Sequence, residues 1–248
     1  MNNKKLLTLL LVAAVPLAGL APLPLPAVTS SAQAASAKQA LKLPSGASYY
    51  GEVRNGQPHG RGTLAWSPSK TYSGTFKSGK RSGTGKYVNT YLDSATGRLH
   101  KIVYNGTWSA DEMNGRGVWT EQVYAPDGLM FSNGIRTGLF AQNKLNQGYQ
   151  VVHAQADPDY SFSYRSPGFR LDVLGSNVSP LADWRSGTLF DVRYRKGSIR
   201  HDYSLFQGST PAEEKRRLAS LRYLLGVTDE VAPYLRQFRA LSQDLPLD

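Results

Sequence analysis

The feature that most constrains this chain is a short pattern written three times within residues 49–119. The copies are Tyr49-x-Gly51-x-Val53-x-x-Gly56-x-x-x-Gly60-x-Gly62, Tyr72-x-Gly74-x-Phe76-x-x-Gly79-x-x-x-Gly83-x-Gly85 and Tyr104-x-Gly106-x-Trp108-x-x-Asp111-x-x-x-Gly115-x-Gly117. They align without a gap and begin 23 and then 32 residues apart. A period of roughly 20–50 residues marks a repeat array, in which each unit is one supersecondary element that buries its apolar face against its neighbours.

Alternation of aromatic or apolar residues with small or charged ones around Tyr72, Phe76 and Tyr87 is the period of a half-buried strand. The centre of each copy (Arg54-Asn55-Gly56, Lys77-Ser78-Gly79, Ser109-Ala110-Asp111) carries residues suited to a tight turn. Each copy therefore reads as a β-hairpin. The Gly-x-Gly of its second strand leaves room for a close backbone or an aromatic ring. One hairpin is marginal alone, so the copies must join into a continuous sheet.

At these residues the chain resembles the MORN (membrane occupation and recognition nexus) repeat family, with Gly60-Arg61-Gly62 after His59 similar to the family's second-strand signature. The resemblance covers about 70 of the 248 residues. It implies an elongated antiparallel sheet of consecutive hairpins that serves as a scaffold for protein or lipid contact and is not itself catalytic. The third copy departs by placing Asp111 where Gly56 and Gly79 stand, which leaves its turn type open. The nine-residue excess between copies two and three reads as a longer hairpin or loop excursion near Asp93-Ser94-Ala95-Thr96-Gly97.

Residues 1–34 have the three parts of a secretory signal: Lys4 and Lys5, an apolar run from Leu6 to about Leu20, and the small-x-small site Ala32-Gln33-Ala34. Pro16, Pro22, Pro24 and Pro26 punctuate the segment, which disfavours a spanning helix of about 20 residues. An exported chain cleaved near Ala34 is expected, with residues 35–48 as a linker. There is no cysteine, hence neither disulfides nor thiolate metal sites.

Net charge is +11, of which Lys4 and Lys5 supply +2 and residues 35–248 the remaining +9. Between Tyr49 and Asn89, Arg54, Arg61, Lys70, Lys77, Lys80, Arg81 and Lys86 face Glu52 alone. A basic strip along one edge of the sheet is one reading, and a generally solvated basic surface is the other. Such a strip concentrates anionic partners and weakens with salt. Outside the cytoplasm those partners are anionic headgroups or cell-wall polyanions rather than nucleic acid.

The repeat units are placed at 49–71, 72–103 and 104–128, with a decayed fourth at 134–152, where Gly138, Phe140 and Asn143 match the first half of the pattern. Additional strands are expected over 153–207, among them residues 160–164 and a hairpin about Arg195-Lys196-Gly197-Ser198, with residues 177–184 as a loop. The period changes at Thr210. Thr210-Pro211-x-Glu213 supplies an N-cap, a first-position proline and a capping-box glutamate. Leu218, Leu221, Leu224 and Leu225 give a first helix its stripe; Val231, Tyr234, Leu235, Phe238, Leu241 and Leu245 give a second helix one face. The fold class is thus mainly β, closed by a helical pair over 210–248 that covers the sheet.

None of the four histidines, His59, His100, His153 and His201, pairs with another at metal-ligand spacing, and no nucleophile elbow, phosphate loop or dinucleotide fingerprint occurs. No cofactor, metal or catalytic residue is assigned. Binding is expected through the cations Arg54, Arg61, Lys77, Lys80 and Arg81 and the aromatics Tyr49, Tyr72 and Tyr104, although the tyrosines fit an internal stacking core equally well. A protein partner on the hairpin sheet is the leading reading. An electrostatic adaptor for anionic lipid or cell-wall polymer is the alternative, and an enzyme site within 153–207 near His153, Asp157 or His201 is the third.

Overall fold

The computed structural model describes residues 37–247, so the expected signal segment lies outside the described residues. Thirteen strands follow in chain order: β1 (Lys38–Lys42), β2 (Ser48–Arg54), β3 (Gln57–Ser67), β4 (Lys70–Lys77), β5 (Lys80–Asp93), β6 (Arg98–Ser109), β7 (Glu112–Tyr124), β8 (Met130–Ala141), β9 (Lys144–Ala154), β10 (Tyr160–Ser166), β11 (Phe169–Gly175), β12 (Asp191–Lys196) and β13 (Ile199–Ser204). Helix α1 (Pro180–Ser186) interrupts them, and α2 (Pro211–Gly226) and α3 (Thr228–Ser242) end the chain. Every strand pairs antiparallel with its sequence neighbours in one open sheet.

The four hairpins from β2 to β9 turn through two residues that both have positive φ: Asn55 and Gly56, Ser78 and Gly79, Ala110 and Asp111, Gln142 and Asn143. That is type I′ geometry, whose twist matches the flanking strands. Asp111 therefore changes no turn type. The excess between copies two and three lengthens β5 and β6, which stay paired as far as Asp93 and Arg98.

One face of the sheet is organised by a single cross-strand row: Leu41, Tyr49, Leu64, Tyr72, Tyr87, Tyr104, Trp119 and Arg136 lie opposite one another from β1 to β8. A parallel row is glycine on eight successive strands, Gly51, Gly62, Gly74, Gly85, Gly106, Gly117, Gly138 and Gly148. Each repeat tyrosine lies across its own glycine pair. A Cβ on Gly85 would stand 2.3 Å from the Tyr72 hydroxyl, and one on Gly62 2.3 Å from that of Tyr49. The hydroxyls donate to the carbonyls of Glu52, Thr75 and Thr107 at 2.6, 3.1 and 3.1 Å. Tip aromatics then stand edge-on between successive tyrosines, in the sequence Tyr49–Phe76–Tyr72–Trp108–Tyr104–Phe140, with centroids 5.0–5.2 Å apart. Edge-to-face pairing adds about 0.5–1.5 kcal/mol per pair beyond area burial.

The core changes sides at β8 and β9. The row continues as Arg136, Gln150, Ser163, Asp172, Arg193 and Asp202, all polar, so the tyrosine face no longer offers a core. On the opposite face Val151, Phe162, Leu171, Val173, Val192, Tyr194 and Tyr203 are buried under the helices, with Leu224, Val231, Leu235 and Phe238 packed among them. Thr210 and Glu213 form the expected capping box. Of the first helix's leucine stripe only Leu224 is buried; Leu218 and Leu225 are exposed, so α3 provides most of the cover.

Three local assignments differ from the sequence reading. Residues 35–48, read as a linker, contain β1, which pairs with β2 from Lys38 opposite Glu52 to Lys42 opposite Ser48. Residues 177–184, read as a loop, contribute to α1, whose Trp184 is buried and donates its indole N–H to the Leu224 carbonyl at 3.2 Å. Seven residues are too few to display a helical period. Phe169–Gly175, left unassigned, is β11; its alternation is plain once β10 and β12 flank it.

Tyr72→Ala is expected to cost about 3–5 kcal/mol by removing a fully buried ring. Tyr72→Phe loses only the hydrogen bond to Thr75, about 1 kcal/mol. Gly85→Ala, far smaller in volume, is expected to cost about 1–3 kcal/mol by lifting that ring. Denaturant midpoints of the three variants check this; a harmless Gly85→Ala would show that the ring-on-glycine contact does not matter.

Candidate interaction surface

The eight residues singled out by sequence occupy four different environments. Tyr49, Tyr72 and Tyr104 are 2%, 0% and 0% exposed and form the core just described, so none presents a ring to a partner. Burial also pushes the Tyr72 and Tyr104 phenols up to about 12, Arg81 partly offsetting it at Tyr72. Of the two roles open to these tyrosines from the sequence, their burial fits the internal stacking core.

Arg81 is likewise internal. Its guanidinium lies 4.2 Å from the Trp108 ring centroid and near Trp66, Tyr72 and Tyr87. Its Nε donates to Asp111 Oδ1 at 3.1 Å and its Nη2 to the Asp111 carbonyl at 2.7 Å, with the side chain 16% exposed. It is a clamp between hairpins two and three, not a free cation.

The clamp explains the one departure in the repeat pattern. At each turn the second residue's amide donates back to the preceding hairpin: Gly79 to the Pro58 carbonyl, Asp111 to that of Arg81, and Asn143 to that of Met113. Pro58 has no N–H to satisfy, and there the turn residue is glycine. Arg81 and Met113 do have one, and there the turn residue carries an acceptor: Asp111 Oδ1 takes the Arg81 amide and Asn143 Oδ1 the Met113 amide, both at 2.9 Å. Unmet amides at part-buried positions are costly, so the turn residue follows from the residue it faces.

Of the remaining cations Arg54, Arg61, Lys77, Lys80 and Lys86 are exposed and Lys70 is half-buried, and they are divided between the hairpin tips and one face. Arg54, Lys77 and Lys80 flank hairpin tips, Lys77 directly opposite Lys80. Arg61 and Lys86 lie on the face opposite the tyrosines. Lys70 sits 5.5 Å above the Trp66 ring. One continuous basic strip along a sheet edge does not form.

That opposite face is the largest uncovered feature of the repeats. Tyr50, Thr63, Ser73, Lys86, Asn105, Val118 and Thr137 lie in register on it from β2 to β8. Tyr50 is 58% and Val118 39% exposed, and Thr63 and Ser73 share a hydrogen bond of 2.6 Å. The helices pack against β9 and β13 and leave this stretch of the face open. Sequence inspection overlooked it, because small polar residues between conspicuous tyrosines carry no local signal.

The histidines considered for catalysis have structural partners. His153 stacks on Tyr160 at 4.2 Å, its Nδ1 lies 2.6 Å from the Leu245 carbonyl, and its Nε2 is 3.8 Å from Asp159. His201 stacks on Tyr223 at 3.9 Å. Asp157 precedes Pro158 in a bend, and no group of three candidate metal ligands occurs among the described residues.

Asp111→Gly relieves a positive φ yet is expected to destabilise by about 1–3 kcal/mol, since the Arg81 amide loses its acceptor. Asp111→Asn keeps an acceptor and loses only the ion pair, so it should cost about 1 kcal/mol or less. Equal losses in thermal unfolding would assign the effect to charge alone.

A family model described as "MORN repeat" matches residues 49–70, 72–89 and 104–120, which are the hairpins β2–β3, β4–β5 and β6–β7. Over 89 residues the chain is 39% identical to MORN repeat-containing protein 3 of Xenopus laevis, covering 36% of each protein. It is 40% identical over 110 residues to alsin of Rattus norvegicus and 35% over the same length to alsin of Homo sapiens, covering 44% of this chain but 6% of alsin. The chain thus spans only a small part of alsin and about a third of the frog protein. Position for position, the tyrosine-on-glycine hairpins within residues 49–120 are the segments that match the MORN repeat.

Proposed function

We propose that the protein is an exported, non-enzymatic scaffold that binds a protein partner across the open face of its repeat sheet. The observation that carries this is the division of labour between the two faces. The tyrosine face is consumed internally, whereas the row from Tyr50 to Thr137 is left uncovered, with mostly polar side chains, Lys86 among them, and apolar points at Tyr50 and Val118. A rigid floor with separated apolar anchors is what a protein interface uses. Export rests on the tripartite segment 1–34.

A photocrosslinking residue at Val118 is expected to give one discrete protein adduct in the native compartment, and the same residue at Leu205 none. The double variant Tyr50→Asp, Val118→Glu should weaken that partner by about tenfold or more, equivalent to about 1.4 kcal/mol, with an unchanged melting temperature. Retention of the partner by this variant would place the interface elsewhere.

An electrostatic adaptor role is supported by one separate feature. Lys77 and Lys80 face each other across the Ser78–Gly79 turn, both exposed, although like charges directly opposite are unfavourable in a sheet. On this reading the protein sediments with anionic vesicles or cell-wall polymer at low salt, and Lys77→Glu with Lys80→Glu abolishes it. Arg81 is excluded from that test because reversing it breaks the clamp to Asp111. Sedimentation that ignores the reversal ends the adaptor reading.

A further inference from the structure

The glycine row does not stop at β9. In the same register, and on the same face, it continues as Arg165 on β10, Arg170 on β11, Arg195 on β12 and Arg200 on β13, each directly opposite the next. Strands are about 4.8 Å apart, so the four arginine backbone positions stand in single file over about 14 Å. Arg170 is paired with Asp172 at 2.7 Å and Arg195 with Asp202 at 2.5 Å. Arg165 and Arg200 form no ion pair among the described residues. Beyond Arg200 the surface drops into a cleft of about 720 Å³ between β13 and α2, lined by Arg193, Arg216 and the Glu214-paired Arg217 and also by Asp191, Asp202 and Glu213. The helices lie on the other face, so this file is open to solvent.

Cross-strand like charges are unfavourable; Asp172 and Asp202 offset the inner two of the four, and Arg165 and Arg200 at the ends are left without a counter-charge among the described residues. We propose that this arginine file binds a linear chain of condensed phosphates, laid across β10–β13 and ending in the cleft beside α2. The shape of the charge decides the ligand. The file is flanked on the same face by a row of alternating charge, Asp172, Arg193 and Asp202, whose carboxylates a flat anionic bilayer would have to approach, whereas a thin chain runs alongside that row. Arg195 is recessed, with its side chain 26% exposed. An extended acidic peptide presents carboxylates on one side only every ~6.7 Å and falls out of step with arginines every ~4.8 Å. A polyphosphate carries charge on every link, so it meets each guanidinium fork without needing a register.

This surface lies outside the MORN repeats and stands independently of either function above. The test is fluorescence anisotropy of labelled inorganic polyphosphate with the purified protein at low and physiological salt. The double variant Arg165→Gln, Arg200→Gln is expected to weaken binding by about tenfold or more. Neither arginine holds an ion pair, so the melting temperature should not change. Lys77→Gln with Lys80→Gln, on the repeat turns, should leave binding within about twofold. Absence of binding, loss that follows Lys77 and Lys80 instead, or equal affinity for polyglutamate or for anionic phosphatidylglycerol vesicles would each overturn the proposal.

Discussion

A tyrosine ring lying flat on a pair of facing glycines is the contact on which the rest of this protein depends. A lone sheet has no second layer to bury its apolar face. Here the missing Cβ atoms let Tyr49, Tyr72 and Tyr104 settle onto the backbone, while tip aromatics from the same and the following hairpin close over them edge-on. The hydrophobic layer is therefore made by the sheet folding onto its own strands. Each ring touches two units, so burial and repeat-to-repeat cohesion are one interaction, as expected of a quasi-one-dimensional array.

Turn chemistry fastens the units a second time, and its logic is complementary across hairpins. Glycine suffices at position 79 because it faces proline; Asp111 and Asn143 are needed because they face amides. Arg81 gains a double anchor from this arrangement, with its guanidinium held between Asp111 and the Trp108 ring. A residue that looks like surface charge in the sequence is thereby part of the core.

The sheet is continuous, but its core is not. From β9 onward the buried side chains project from the opposite face, toward α1, α2 and α3. The exchange requires no break in pairing: Arg136 and Gln150 occupy tyrosine positions, and Tyr149 and Val151 take up the burial one residue away. Each half consequently leaves a different face open, the polar row from Tyr50 in the repeats and the arginine file in the C-terminal strands.

By itself the sequence determined the hairpins, their number and order over residues 49–152, the turns, and the capped start of α2, because these depend on residues within a few positions of one another. It did not reveal β1 or α1, which are too short to show a period and acquire their structure from β2 and from Leu224. Nor did it decide which cations are free. Arg54, Lys77 and Arg81 look alike along the chain, and only the approach of Asp111 and Trp108 from thirty and twenty-seven residues away removes Arg81 from the surface. The side of the sheet on which each residue lies is fixed by local alternation. Whether that side is core or solvent is set by what packs against it, and only the tertiary structure supplies that.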